Sequence, residues 1–329
     1  MRRVLTHTKA RILLNAGFGV TALVVAVVGG RKFAHAGFPL RHADPVLVTG
    51  ATLLFLIAYA FKAWGWQRLF ADGDRPGAGA LAFAGGAACV GGIALPGRLD
   101  DALRVACVRR FPGVRTGIGA LALSLVVLGL LDNAALAPLS VVAAAHANSW
   151  TVRAGFAVVA GAGVLAALVV ASLPKAAGRG FVLRFRLGRW LASHTHCNRR
   201  AAAALGFISI SWALRGTAVF LLLEALSMRS SFPLALAFLC ASAASAALPI
   251  APAGAATQAG AGSAILIASG VHAGDAIAFS VAAQLIVVGT GAIVLLVVGG
   301  WHLATRARRD AFVTPTAACL APAVAQPLL

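Results

Sequence analysis

The chain has 329 residues, of which 60 % are apolar and 11 % charged, with 28 Lys and Arg against 9 Asp and Glu. A soluble domain carries about 25 % charged residues, so this composition excludes a water-soluble fold and reads as an all-α polytopic membrane protein with no soluble domain of its own. The basic excess does not read as nucleic-acid binding: no recognition motif accompanies it, and most basic residues flank apolar segments, where they meet anionic lipid headgroups.

The N-terminus imitates a secretory signal, with Arg2, Arg3, Lys9 and Arg11 before an apolar run and Ala34-His35-Ala36 resembling a cleavage site. Arg31 and Lys32 stand between the run and that site, where cleavable signals are uncharged. Residues 12–30 are therefore read as an uncleaved first span. Further apolar segments lie at 45–61, 78–96, 117–138, 154–173, 203–226, 232–248, 254–270 and 275–303. A helix needs about 20 such residues to cross the hydrocarbon core. The expectation is seven to nine apolar helical segments, one or two of them re-entrant hairpins broken at Pro-Gly motifs.

Basic residues gather at the N-terminus and at 62–75, 97–116, 174–200 and 306–309, while the intervening loops carry Arg31, Lys32, Arg41, Arg153 and Arg229. By the positive-inside rule the first set faces the cytoplasm, giving a multi-pass cell (inner) membrane protein with both termini cytoplasmic. Stretches 62–75 and 97–116 then share a side, although segment 78–96 separates them. That segment is rich in glycine (Gly85, Gly86, Gly91, Gly92) and ends at Pro96-Gly97, so a hairpin that enters and leaves on one face is preferred to an ordinary span. A second break falls at Pro249-Ile250-Ala251-Pro252-Ala253-Gly254, where a hairpin and two full spans satisfy the charge pattern equally. Broken segments in both halves suggest an inverted repeat with a site between them. Leu183, Leu187, Trp190 and Leu191 make one stripe at helical spacing, as for a helix lying at the cytoplasmic interface. Residues 1–310 are read as one integral membrane domain, and the Ala- and Pro-rich 311–329 as a disordered tail.

Ionisable residues within spans are costly and tend to be functional. They are Asp132, Arg215 and Glu224. Arg215 and Glu224 are nine residues apart and point to opposite sides of a helix, which leaves Asp132 with Arg215 as the interhelical pair, in a structural or a functional role. At Leu95-Pro96-Gly97-Arg98-Leu99-Asp100-Asp101-Ala102-Leu103-Arg104 a break precedes a helix start. The free N–H groups and dipole of that start favour a phosphate, and Arg98 adds a bidentate charge. Asp101 with Arg98, and Asp100 with Arg104, are spaced for local ion pairs instead. Adjacent Asp100 and Asp101 diverge by about 100° and make poor paired ligands. His194, His196 and Cys197 form one short cluster with no matching partner. Cys89, Cys107, Cys197, Cys240 and Cys319 include no C-x-x-C pair. No metal, cofactor or catalytic constellation is expected, and no nucleotide site is visible.

The 95–104 segment resembles the L-P-G-R-x-G-E-x-x-R signature of the lysylphosphatidylglycerol synthase transmembrane, or flippase-like, family. Leu248-Pro249-Ile250-Ala251-Pro252-Ala253-Gly254 resembles that family's P-x-x-P-G-G signature. The resemblance spans most of residues 10–305 and implies a stand-alone member without the aminoacyl-transferase domain, in a lipid-translocating or related lipid-handling role. It assigns substrate binding to Pro96, Gly97, Arg98, Arg104, Pro249, Pro252 and Gly254. Gln258 is the nearest polar residue to a Glu expected after the second motif. Asp100-Asp101 replace Gly-Glu, and the Arg expected shortly before Asp132 is absent, with Leu128 and Gly129 in that stretch.

The leading expectation is thus a translocase for a phospholipid or a lipid-linked saccharide, working downhill or with ion coupling. One alternative is a membrane glycosyltransferase or other lipid-modifying enzyme, for which Asp44 is the candidate external carboxylate. Another is a scaffold for lipid or envelope synthesis. The expected partners are membrane lipids with anionic headgroups and an enzyme of lipid synthesis; the sequence fixes no oligomeric state.

Overall fold

The computed structural model describes residues 43–71, 73, 75–92, 99–111, 113–177, 198–228, 230–246 and 254–313. The regular structure among these is helical: α1 Pro45–Gln67, α2 Ala78–Gly91, α3 Leu99–Arg110, α4 Ile118–Ala145, α5 Trp150–Ala177, α6 Asn198–Ala225, α7 Phe232–Ala246, α8 Gly254–Ala268 and α9 Ala273–Val313. The expected first span, the interfacial stripe, the His194-His196-Cys197 cluster and the two Pro-Gly breaks lie outside the described residues, as does the tail from residue 314.

Among the described residues, five helices are long and apolar enough to cross a membrane: Pro45–Gln67, Ile118–Ala145, Trp150–Lys175, Arg199–Ala225 and Ala273–His302. The all-helical polytopic expectation therefore holds. Helix α1 begins where Asp44 accepts a hydrogen bond from the Val46 N–H at 2.8 Å and Pro45 presets the first turn. It then runs past residue 61, where the apolar run ends, through Lys62 to Gln67. No breaker interrupts it, and Ala63, Gly65 and Trp66 are buried. Lys62 consequently belongs to the span and not to the cytoplasmic loop to which its charge assigned it. Helix α4 continues through Pro138 to Ala145, because its neighbours' packing outweighs one lost backbone bond.

Helices α2 and α7–α8 differ from these. They have 14, 15 and 15 residues, so each rises about 21 to 23 Å, short of the roughly 30 Å core. Helix α3 packs back onto α2, and α8 onto α7, one such pair on either side of each Pro-Gly break.

The helices approach closely where side chains are absent, as membrane packing requires. A Cβ at Gly163 of α5 would collide with the Asn133 carbonyl and Ala137 of α4, and one at Gly86 of α2 would lie 2.6 Å from the Gly291 carbonyl of α9. Buried hydrogen bonds tie α1 to its neighbours: Trp66 Nε1–H donates to Ser124 Oγ of α4 at 2.9 Å, and Ser211 Oγ of α6 donates to the Ala58 carbonyl at 2.8 Å. The outer side of α5 exposes Val158, Val164, Leu165 and Leu168, as expected of a surface that meets lipid tails.

The glycine contacts separate two substitutions of the same chemistry. Gly163→Val should destabilise the protein by about 1–3 kcal/mol through overpacking. Gly161→Val, whose Cβ meets nothing within 4 Å, should leave thermal unfolding in detergent nearly unchanged. Equal melting shifts would contradict the close α4–α5 contact.

Candidate functional site

Three spans bring charges together inside the bundle. Lys62 of α1 places Nζ 2.8 Å from Oδ2 of Asp132 on α4. The indole N–H of Trp212 on α6 donates to the other carboxylate oxygen, Oδ1, at 2.9 Å. Both oxygens of Asp132 are thereby engaged. Removing two ions from water costs several kcal/mol each unless geometry and further hydrogen bonds compensate, and here both do. The Lys62 and Asp132 side chains keep 22 % and 21 % of their surface. They sit half-buried where α1, α4 and α6 meet, a recess only in the sense that close-packed core does not seal them.

Arg215 follows Trp212 by three residues on α6 and so shares its face. Its Cζ lies 5.0 Å from the centroid of the Trp212 ring and 5.6 Å from that of Tyr59 on α1, while Lys62 Nζ lies 5.8 Å from the Trp212 ring. Arg215 Nε is buried with no acceptor among the described residues. The Tyr59 hydroxyl and the Cys89 thiol of α2 hydrogen-bond to each other, and Cys89 Sγ stands 3.6 Å from the Val287 carbonyl of α9. Gly291 leaves the room for them: its Cβ would lie 2.9 Å from that of Cys89 and 3.3 Å from the Tyr59 oxygen. Arg104 of α3 pairs with Asp101 at 2.9 Å and Asp100 at 3.5 Å.

The cluster takes in Asp132 and Arg215, but not in the pairing expected from sequence; Arg104 pairs within its own helix. Asp132 meets Lys62, and Arg215 meets aromatic faces. Glu224, in the last turn of α6, is exposed and accepts a hydrogen bond from Ser230 Oγ; it takes no part in the recess. Gln258 belongs to another polar contact, in which Gln284 Nε2 of α9 donates to its Oε1 at 3.3 Å and Ser242 Oγ of α7 donates to its carbonyl at 3.0 Å. Gly254 opens α8. Pro96, Gly97, Arg98, Pro249 and Pro252 lie outside the described residues. Asp44, capping α1, also donates its N–H to the Ala225 carbonyl at 3.0 Å, so it serves to join the ends of α1 and α6.

Sequence reasoning passed over Lys62, Tyr59, Trp212, Cys89 and Gln284. A signal existed for the first two: Tyr59, Lys62 and Trp66 recur at i, i+3 and i+7 on one helix face.

The family described as the lysylphosphatidylglycerol synthase TM region matches residues 14–299. The chain belongs to this family. No curated protein and no solved structure matches it. The match covers the recess and the Gln258–Gln284 contact, so both are features of the lysylphosphatidylglycerol synthase TM region as this chain builds it.

Breaking a buried ion pair strands its partner, a loss of about 3–5 kcal/mol in a dry interior and less in a recess that admits some water. Lys62→Met and Asp132→Asn should each lower thermal stability in detergent. The double variant should lose less than the two losses combined, with a coupling of about 0.5–3 kcal/mol. Additive losses would contradict the pair.

Proposed function

We propose that this membrane protein moves a lipid between leaflets, passing the headgroup through the recess of Lys62, Asp132 and Arg215 while the acyl chains stay in hydrocarbon. The observation that carries the reading is the charged cluster shared by α1, α4 and α6, helices whose composition is otherwise that of lipid-facing spans. Intramembrane ionisable groups are expensive and mark pathways. Membership of a lipid-synthesis family supports the same reading. The cargo is a phospholipid or a lipid-linked saccharide, supplied by an enzyme of lipid synthesis.

Arg98 is proposed to meet the headgroup phosphate. Asp100 and Asp101 already occupy the first turn of α3 and answer its dipole, so that role falls to the Arg98 guanidinium alone. Asp44, the candidate carboxylate of the glycosyltransferase alternative, caps α1 through one oxygen, which favours a structural role for it.

Movement of labelled lipid in reconstituted vesicles tests the proposal. Protein-containing vesicles should equilibrate the leaflets faster than protein-free ones. Lys62→Met or Asp132→Asn should slow this about tenfold or more, the equivalent of at least 1.4 kcal/mol of lost transition-state binding. Arg98→Lys should slow it partially and Arg98→Ala strongly, with the protein still folded. No acceleration by the intact protein would refute translocation.

We further propose that it resides in the cell membrane with both termini and the 97–116 loop in the cytoplasm. In a background lacking native cysteines, Ser149→Cys should react with an impermeant reagent added outside intact cells. Arg109→Cys should react only after permeabilisation. The reverse pattern would invert the orientation.

A further inference from the structure

We propose that the outer seam between α1 and α6 holds one anionic phospholipid of the surrounding bilayer, with its phosphate on Arg68 and an acyl chain along the aromatic side chains beside it. The seam is distinct from the Lys62–Asp132 cluster, and the proposal stands whether or not the protein moves lipid.

The sequence of α1 lays out one wall. Ile57, Phe61, Trp64 and Arg68 recur at i, i+4, i+7 and i+11, the spacing of one helix face. Ile57 and Trp64 keep 46 % and 44 % of their surface; Arg68 is exposed and Phe61 half-buried. This face therefore borders the bundle and meets lipid. On α6 the matching residues are Ala203, Phe207 and Ile210, of which Ala203 and Ile210 are exposed. Three rings join the walls: Phe61 and Trp64 have centroids 5.4 Å apart, and Phe207 lies 6.1 Å from the first and 6.3 Å from the second. A Cβ on Gly206, next to Phe207, would meet nothing within 4 Å, so α6 stays low there and leaves the rings accessible to a chain.

The charge sits at one end of this face. Arg68 Cζ lies 5.7 Å from the Phe207 centroid, which holds the guanidinium over the seam. Arg199, also exposed, stands in the first turn of α6. Arg200 Nη1 donates to the Phe70 carbonyl at 3.4 Å and ties the two helix ends together. Neither Arg68 nor Arg199 pairs with a carboxylate among the described residues. Asp72 and Asp74 come next along the chain, outside the described residues, against Arg68, Arg75, Arg199 and Arg200, so this end remains basic.

Aromatic rings at a span's end mark the headgroup level, which is where lipid phosphates lie. A guanidinium there can take two phosphate oxygens in its plane while its face rests on Phe207. An anionic lipid suits it better than a zwitterionic one, whose own ammonium answers the phosphate. The dimensions fit one lipid: Ile57 and Arg68 are eleven residues apart, about 16 Å along the helix, close to half of the roughly 30 Å hydrocarbon core. A single acyl chain thus covers the stripe from end to end.

Native mass spectrometry of the purified full-length protein, given equal amounts of phosphatidylglycerol and phosphatidylcholine, tests the proposal. The intact protein should retain phosphatidylglycerol over phosphatidylcholine. Arg68→Gln should weaken retention of the first-bound phosphatidylglycerol about fivefold, the effect of one basic residue at an anionic surface, and leave phosphatidylcholine unchanged. Arg68→Lys should keep part of the preference. Arg109→Gln, at an exposed arginine of α3, should behave as the intact protein does. No preference in the intact protein, an undiminished preference in Arg68→Gln, or an equal loss in Arg109→Gln would overturn the proposal. Should Arg68→Gln not fold, the intact protein in vesicles decides: phosphatidylglycerol with a photoactivatable acyl chain should label the peptides containing Ile57, Trp64 and Ile210 more heavily than phosphatidylcholine with the same chain. Equal labelling there would overturn it.

Discussion

An ammonium group placed among apolar helices must find an anion, because the surrounding hydrocarbon cannot solvate it. Lys62 finds Asp132 at 2.8 Å, and much of the surrounding structure follows from keeping those two groups together. The pair joins α1 to α4. Trp212 reaches in from α6 to bond the second carboxylate oxygen, which draws the third helix to the same point. Close approach needs small residues at the crossings, and Gly65, at the α1–α6 contact, provides one: a Cβ there would lie 2.9 Å from Ile208. The apolar contacts alone would hold these helices in many registers; the charged pair favours one.

A second consequence concerns water. Lys62 and Asp132 keep about a fifth of their surface, so the surrounding helices do not seal them. Helix α2 ends well before it could cross a bilayer, and α3, with a polar sequence, packs back against it.

The architecture was largely legible in the sequence, because the apolar periodicity of a membrane span is a strong signal and the segments at 45–61, 117–138, 154–173, 203–226 and 275–303 all became long helices. Their ends were less legible. Helix α1 extends across Lys62 because a lysine does not terminate a helix; only the bilayer's cost of charge suggested that it should, and Asp132 offsets that cost. For the same reason the partner of Asp132 was misassigned. Arg215 was the visible buried cation, whereas Lys62 had been counted with the loop. Pairing across helices depends on rotation about each axis, and a residue list carries no information on that. The sequence likewise carries no sign that Trp212 and Tyr59 flank Arg215, which the structure puts beside both. Gln258 was singled out by the resemblance, as the polar residue nearest an expected Glu, but its partner Gln284 lay unnoticed in an apolar run.

The central claim is that a lipid headgroup enters this recess. A phospholipid with a photoactivatable group on its headgroup, cross-linked to the protein in vesicles and mapped by mass spectrometry, tests it most directly. The account predicts adducts on peptides containing Tyr59, Cys89 and Trp212, reduced by an excess of unlabelled lipid. Adducts confined to lipid-facing positions such as Val158, Val164 and Leu168 of α5, with none at the recess, would contradict it.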